Sequence, residues 1–233
     1  MLEDKITLCL TIGRRPDLLR RTFESLQGLP QIPVLAINDF GDEETNAVFR
    51  EMCPHGRLIE PGRHLGHHAA VDLMYAEVKT PYIFHGEDDW GFTRTDFLED
   101  ALTLLQSDPF ISLVCFRATK DIPLSDVDRK LVVTETRGNI VIERMEAVHE
   151  QWHGFSFNPH LSEKRLWEEL GGFSQFRKER HVSRFLRAKG RYVVFLIPEA
   201  CRHIGDDGRS TTPGRNSLFR RFKKWMRGIR SVE

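Results

Sequence analysis

One short apolar run constrains this chain more than any other feature, because it empties into three consecutive carboxylates. The run lies inside Pro81-Tyr82-Ile83-Phe84-His85-Gly86-Glu87-Asp88-Asp89-Trp90, and its β-forming residues read as a buried strand. Adjacent anions repel one another, so a triplet at a strand end makes sense where a cation or a cationic partner neutralises it. Mg²⁺ and Mn²⁺ are hard ions that take one or two protein carboxylates and complete their shell with substrate phosphates. The triplet therefore predicts a metal–diphosphate site at the carboxyl end of a parallel strand, where open α/β sheets place their ligands. An isolated Glu-Asp-Asp also suits a solvated acidic turn. The strand before it and Trp90-Gly91-Phe92 after it favour a site.

Strand and helix patterns alternate on both sides of this run. Lys5 to Ile12 reads as a strand and Pro16 to Leu26 as a helix; Ile32 to Ile37 is a second strand that ends at Asn38-Asp39-Phe40-Gly41. A helix from about Glu43 to Met52, a short strand at Arg57 to Ile59 and a helix from Gly66 to Val78 follow. Thr93 or Thr95 can cap a helix running to about Leu105, and Ile111 to Phe116 is another apolar strand. This rhythm predicts a mainly parallel sheet covered by helices on both faces. After Ala118 the character changes. Leu131 to Glu135 and Asn139 to Glu143 read as a β-hairpin, Leu161 to Leu170 and Arg180 to Ala188 as helices, and Tyr192 to Ile197 as a late strand.

The chain has 233 residues, 40% of them hydrophobic, which suits a single α/β domain with a sizeable core. Residues 1–216 are expected to form that domain, with 1–118 as a nucleotide-binding part and 119–216 as an acceptor part. The formal charge is zero, so the whole molecule lacks a nucleic-acid signature. Cys9, Cys53, Cys115 and Cys201 form no CxxC pair, and buried free thiols in a reducing, cytoplasmic compartment are the simple reading. No signal-peptide pattern precedes Lys5 and no apolar run is long enough to span a bilayer.

Several short motifs then fall in a recognisable order. Thr11-Ile12-Gly13-Arg14-Arg15 resembles a first-strand loop, Thr-x-Asn-Arg, and Asn38-Asp39 an acidic second-strand end. His64-x-Gly66-x-x-x-Ala70-x-Asp72 is in register with Asn-x-Gly-x-x-x-Ala-x-Asn, and Glu87-x-Asp89 lies on a DxD metal motif. Gly171-Gly172-Phe173 and His203-Ile204-Gly205 complete the series. Together they resemble the GT-A glycosyltransferases, nearest to the inverting, nucleotide-sugar-dependent family 2, over roughly residues 6–205. The resemblance implies a metal-dependent enzyme that moves one sugar from a nucleotide diphosphate sugar, UDP-linked by analogy, to a hydroxyl of a glycan or lipid-linked acceptor.

It also implies residue roles. Thr11, Gly13, Arg14, Asp39, His64, Gly66, Glu87 and Asp88 would bind the nucleotide sugar, and Asp89 with His203 would hold Mn²⁺ or Mg²⁺. Glu179 would be the base that takes the acceptor proton during direct displacement at the anomeric carbon. The chain departs from the pattern at Glu87, which makes a Glu-Asp-Asp signature like that of some N-acetylglucosaminyltransferases. His64 and Asp72 stand where the family has asparagines, and Lys178-Glu179 replaces a Glu-Asp pair. The Gln-x-x-Arg-Trp motif of polymerising members is missing, which favours transfer of a single sugar.

Other readings stay open at this level. Glu179 sits among Arg177, Lys178 and Arg180 and is equally a member of a solvated charge run. With those departures, a non-catalytic sugar-nucleotide-binding or scaffolding protein of the same fold is the alternative. The His64, His67, His68 cluster raises a metal-dependent hydrolase, although adjacent His67 and His68 make a poor chelating pair. Trp152 and His153 are candidates for the acceptor pocket, since aromatic faces suit sugar rings, or for core packing. In the tail, 217–233, Phe219, Phe222, Trp225, Met226 and Ile229 recur at helical spacing among arginines and lysines. Such a basic amphipathic helix, over 218–230, fits either an anionic membrane surface at its inner face or docking on its own domain.

Overall fold

The computed structural model describes residues 1–205; the tail and its membrane reading lie outside them. In chain order the elements are β1 (Ile6–Ile12), α1 (Pro16–Ser25), β2 (Val34–Asn38), α2 (Glu43–Met52), β3 (Arg57–Ile59) and α3 (His67–Ala76). Then come β4 (Tyr82–Glu87), β5 (Trp90–Phe92), α4 (Leu98–Ser107), β6 (Ile111–Cys115) and α5 (Asp126–Arg129). The second half contributes β7 (Val133–Arg137), β8 (Ile140–Arg144), β9 (His160–Glu163), α6 (Lys164–Leu170), α7 (Glu179–Ala188), β10 (Tyr192–Ile197) and β11 (Cys201–His203).

Nine strands make one sheet in the order β3-β2-β1-β4-β9-β6-β10-β8-β7, and β5 pairs with β11 in a small ribbon. The strands β3, β2, β1, β4, β6, β10 and β7 run one way, and β9 and β8 run against them. The sheet is thus mainly parallel, as expected. Its centre differs from the expectation. Residues 161–163 do not begin a helix; β9 fills the slot between β4 and β6, antiparallel to both, and α6 starts only at Lys164. The slot's open backbone groups on both sides outweigh the local helical pattern.

Alternation along β1 divides the core. Ile6, Leu8, Leu10 and Ile12 join Leu19 and Phe23 of α1, Phe49 of α2 and the α4 leucines on one face. Cys9 points to the other face, with Tyr75 of α3, Phe155, Phe173 and Leu186 of α7. Cys9, Cys115 and Cys201 are buried free thiols. The α4 helix begins at Leu98 with no side-chain cap, so neither Thr93 nor Thr95 starts it. The segment before it is drawn instead toward β11, and the Thr93 N–H donates to the Ala200 carbonyl at 2.8 Å. Among the described residues no helix is long and apolar enough to cross a membrane.

Candidate functional site

The carboxyl ends of β1, β2 and β4 open onto a cleft of about 1680 Å³. Ordinary small-ligand pockets measure roughly 300–1,000 Å³, so this one has room for two bound groups side by side. Thr11, Gly13, Asp39, His64, Gly66, Glu87, Asp88, Asp89, Glu179 and His203 all line it. Register explains the first grouping, since Thr11 of β1 pairs with Ile37 of β2 on one side and with Glu87 of β4 on the other.

Gly13 carries the chain past β2 at a distance no other residue allows. A Cβ there would sit 2.4 Å from the Phe40 ring, and φ is +150°. The close turn lets the Gly13 N–H donate to Asp88 Oδ2 at 2.9 Å. Arg15, just beyond, reaches across to the triplet, with NH2 2.7 Å from Asp88 Oδ1 and NH1 2.5 Å from Asp89 Oδ2. Burial opposes the Arg15 charge, yet Asp88 and Asp89 outweigh it and hold the guanidinium pKa above its ordinary value. Burial also pushes the Asp88 carboxyl upward, against the pull of Arg15. Asp88 thus organises the loop: Oδ2 accepts the Gly13 N–H, while Oδ1 pairs with Arg15 as an ion and has no aligned hydrogen-bond donor.

Asp89 is different. Oδ2 accepts from Arg15 and lies 2.9 Å from His203 Nε2, while Oδ1 is buried with no hydrogen-bond donor among the described residues. A carboxylate oxygen without a donor, beside an imidazole, suits a hard divalent ion that brings its remaining ligands from phosphate and water. Among the described residues no three His, Cys, Asp or Glu side chains gather as a metal cage, so the fit is for an ion that takes only this pair from the protein. His203 is placed by β11, whose register sets it opposite Trp90 of β5.

Glu87 faces another way. Trp90 Nε1 donates to Oε2 at 3.3 Å, and His67 Nε2 stands 3.7 Å from Oε1. Burial would raise the Glu87 pKa, but His67, Trp90 and Arg15 outweigh it and hold the carboxyl below its ordinary value. The neighbouring imidazole turns elsewhere: His68 Nδ1 meets the Phe176 carbonyl at 2.7 Å. His67 and His68 thus serve different partners.

Asp39 spends its carboxylate on the loop before α3. It accepts from Leu65 N–H at 2.6 Å and Gly66 N–H at 2.8 Å, and His64 Nδ1 lies 2.8 Å away. Gly66, at φ +88°, is the N-cap that turns this loop into the helix. Asp72 works in the same manner on the far side. Trp167 Nε1 and the Phe173 N–H donate to Oδ1 at 2.7 Å each, and the Ser174 N–H and hydroxyl donate to Oδ2. It pins the Gly171-Gly172-Phe173 turn and with it the segment leading to Glu179. Asp72→Ala leaves these donors without an acceptor and is expected to cost about 3 kcal/mol, read as a lower urea midpoint at unchanged slope.

Glu179 opens α7 at the cleft. The residue is exposed on the cleft side, and desolvation by its surroundings, with Glu87 nearby, shifts its pKa upward against the opposing influence of Ser156 and the Phe157 backbone. Three expected site residues are not in the lining. Arg14 stacks its guanidinium 4.5 Å from the Phe40 ring, outside the cleft, and Arg15 takes the inward place. Trp152 stacks on His149 at 4.4 Å, and the His153 carbonyl is tied to Val193 N–H. Phe157 and Asn158 line the cleft instead. A second arginine in the first-strand loop was the available signal for Arg15; nothing local marked Phe157 or Asn158.

No protein-family model matches the chain, and no curated protein matches it by sequence. Structural comparison is informative. The mannosyltransferase PcManGT from Pyrobaculum calidifontis, solved with GDP-Man and Mn²⁺, superposes with a TM-score of 0.65 at 16% identity, over 97% of this chain and 64% of that one. S. aureus TarS 1–349 in complex with UDP-GlcNAc superposes with a TM-score of 0.58 at 10% identity, over 84% of this chain and 57% of that one. The chain has a GT-A fold. It spans under two thirds of either neighbour's length. The cleft described above lies at the carboxyl ends of β1, β2 and β4 of this fold.

Proposed function

We infer that this GT-A protein is a metal-dependent, inverting glycosyltransferase. It would move one sugar from a nucleotide diphosphate sugar to a hydroxyl of a glycan or lipid-linked acceptor. The observation that carries the reading is one cleft holding both a cation-suited carboxylate, Asp89, and a second carboxylate, Glu179, at the start of α7. Asp89 and His203 would hold Mn²⁺ or Mg²⁺. When bound, the ion supplies positive charge to the departing diphosphate. The loops at Thr11–Gly13 and His64–Gly66 would enclose the nucleoside, with Asp39 fixing the second loop rather than working alone.

Glu179 would accept the proton of the acceptor hydroxyl as that oxygen bonds to the anomeric carbon. The bond from that carbon to the diphosphate oxygen breaks on the opposite side, which inverts the configuration. A non-catalytic sugar-nucleotide-binding protein of the same fold is the second reading, favoured by Arg15 lying on the carboxylate pair. One panel separates them. UDP, GDP, UDP-GlcNAc and GDP-Man are each tested for thermal stabilisation and for nucleotide release, with and without Mn²⁺. Stabilisation by one sugar nucleotide with slow Mn²⁺-dependent hydrolysis is expected; a ligand saturating at a hundred times its Kd adds about 2.7 kcal/mol. Binding without any turnover supports the second reading, and no stabilisation by any member sinks both.

A further inference from the structure

Arg15 forms a buried ion-pair cluster with Asp88 and Asp89, at 2.7 and 2.5 Å, joining residues 73 and 74 positions apart. Side-chain exposure is 19% for Arg15, 2% for Asp88 and 7% for Asp89. The guanidinium fork therefore spans two carboxylates, and it touches the same Asp89 whose other oxygen is buried without a donor. We propose that Arg15 is a built-in competitor for the divalent cation: it holds Asp89 Oδ2 until a metal takes the carboxylate, and stays anchored on Asp88 throughout. The inference rests on the glycosyltransferase reading for the identity of the cation, and it makes Arg15 a positioning residue that sets metal affinity.

The asymmetry of the pair supports the hand-over. Asp88 is fixed from a second side by the Gly13 N–H at 2.9 Å, so its bond to Arg15 NH2 keeps both geometry and charge when NH1 departs. Asp89 keeps a partner in His203, 2.9 Å from the oxygen that Arg15 would release. A fixed positive charge beside a cation site lowers affinity for the cation by Coulomb repulsion and by occupying a ligand atom. Metal and guanidinium thus draw on the same oxygen. Once freed from Asp89, NH1 faces the cleft, where a diphosphate is the matching anion.

The test is a Mn²⁺ titration followed by electron paramagnetic resonance on the full chain without nucleotide, which reads free against bound ion and needs no turnover. Arg15→Gln removes the charge and frees Asp89; it is expected to bind Mn²⁺ roughly ten- to a hundredfold tighter than wild type, the value of one charged hydrogen bond. Arg15→Lys keeps a charge for Asp88 but cannot span both carboxylates, so its affinity should rise by a smaller factor. A merely structural role would weaken Mn²⁺ binding in both variants. Equal or weaker binding in the folded variants overturns the proposal, and if Arg15→Gln does not fold, Arg15→Lys decides it in the same terms. The same samples with UDP-GlcNAc and GDP-Man read donor binding by thermal shift. Absence of donor binding in every sample, wild type included, would fail the glycosyltransferase reading while leaving the Mn²⁺ competition intact.

Discussion

Glu179→Gln is expected to slow sugar transfer by roughly two to four orders of magnitude, the usual span for a lost general base. The substitution keeps size and polarity but removes the basic oxygen. Affinity for donor and for Mn²⁺ should barely change, because neither depends on this carboxylate. The pH profile supplies a second readout. Burial raises the Glu179 pKa above the ordinary glutamate value, and the base works only when deprotonated. Wild-type kcat/KM should therefore fall on the acid side through a limb lying above the ordinary glutamate value, and the variant should lose that limb. A variant with near-normal transfer would return Glu179 to the charge run of its neighbours. The triplet offers no substitute at Asp88, since the Gly13 N–H and Arg15 take both of its oxygens.

Asp89→Asn should erase the Mn²⁺-dependent part of nucleotide binding. The amide oxygen can still accept one hydrogen bond, from Arg15 or His203, so the local packing has a means of surviving. What goes is the negative charge that a hard cation requires. Thermal shift with a nucleoside diphosphate is expected to show the same small stabilisation with and without Mn²⁺, whereas wild type shows an added metal-dependent increment. At a metal concentration a hundred times its Kd that increment amounts to about 2.7 kcal/mol of linkage free energy. Retention of the increment in a folded variant would remove Asp89 from the metal site.

Much of the first half was legible because its signals are local. A strand pattern, a turn and a carboxylate follow one another within ten residues at Asn38-Asp39 and at Glu87-Asp88-Asp89, and the edges of α2 and β3 fall where the sequence puts them. What escaped was decided by tertiary context. His160-Leu161-Ser162-Glu163 has no strong preference of its own and becomes a strand because two others leave a place for it. Arg14 and Arg15 are indistinguishable in composition; a backbone turn with Arg14 at φ +61° sends one outward and the other in. Trp152 looked suited to a sugar ring, but the chain reverses at His153, with φ +60°, and presents Phe157 to the cleft. The Asp72 substitution looked like a departure from a binding motif. In space it is a clamp on a distant loop.

The insertion of β9 has a consequence for how this chain is born. Synthesis delivers β4 by residue 87 and β6 by residue 115, but the strand between them arrives only at residues 160–163. Until then both neighbours present unpaired edges, which are templates for pairing with other chains. Up to residue 160 the nascent protein therefore holds β3-β2-β1-β4 as a half-sheet, the β7–β8 hairpin, and β6 with neither of its neighbours, since β10 follows only at residues 192–197. Joining them brings Cys9, His85, His160 and Cys115 into one cross-strand row beneath the cleft. The strand β9 closes the floor of the site, and α7 with Glu179 and β11 with His203 follow it, so a ribosome-bound chain ending before residue 160 should be sticky, a client for holdase chaperones, and unable to assemble its cleft.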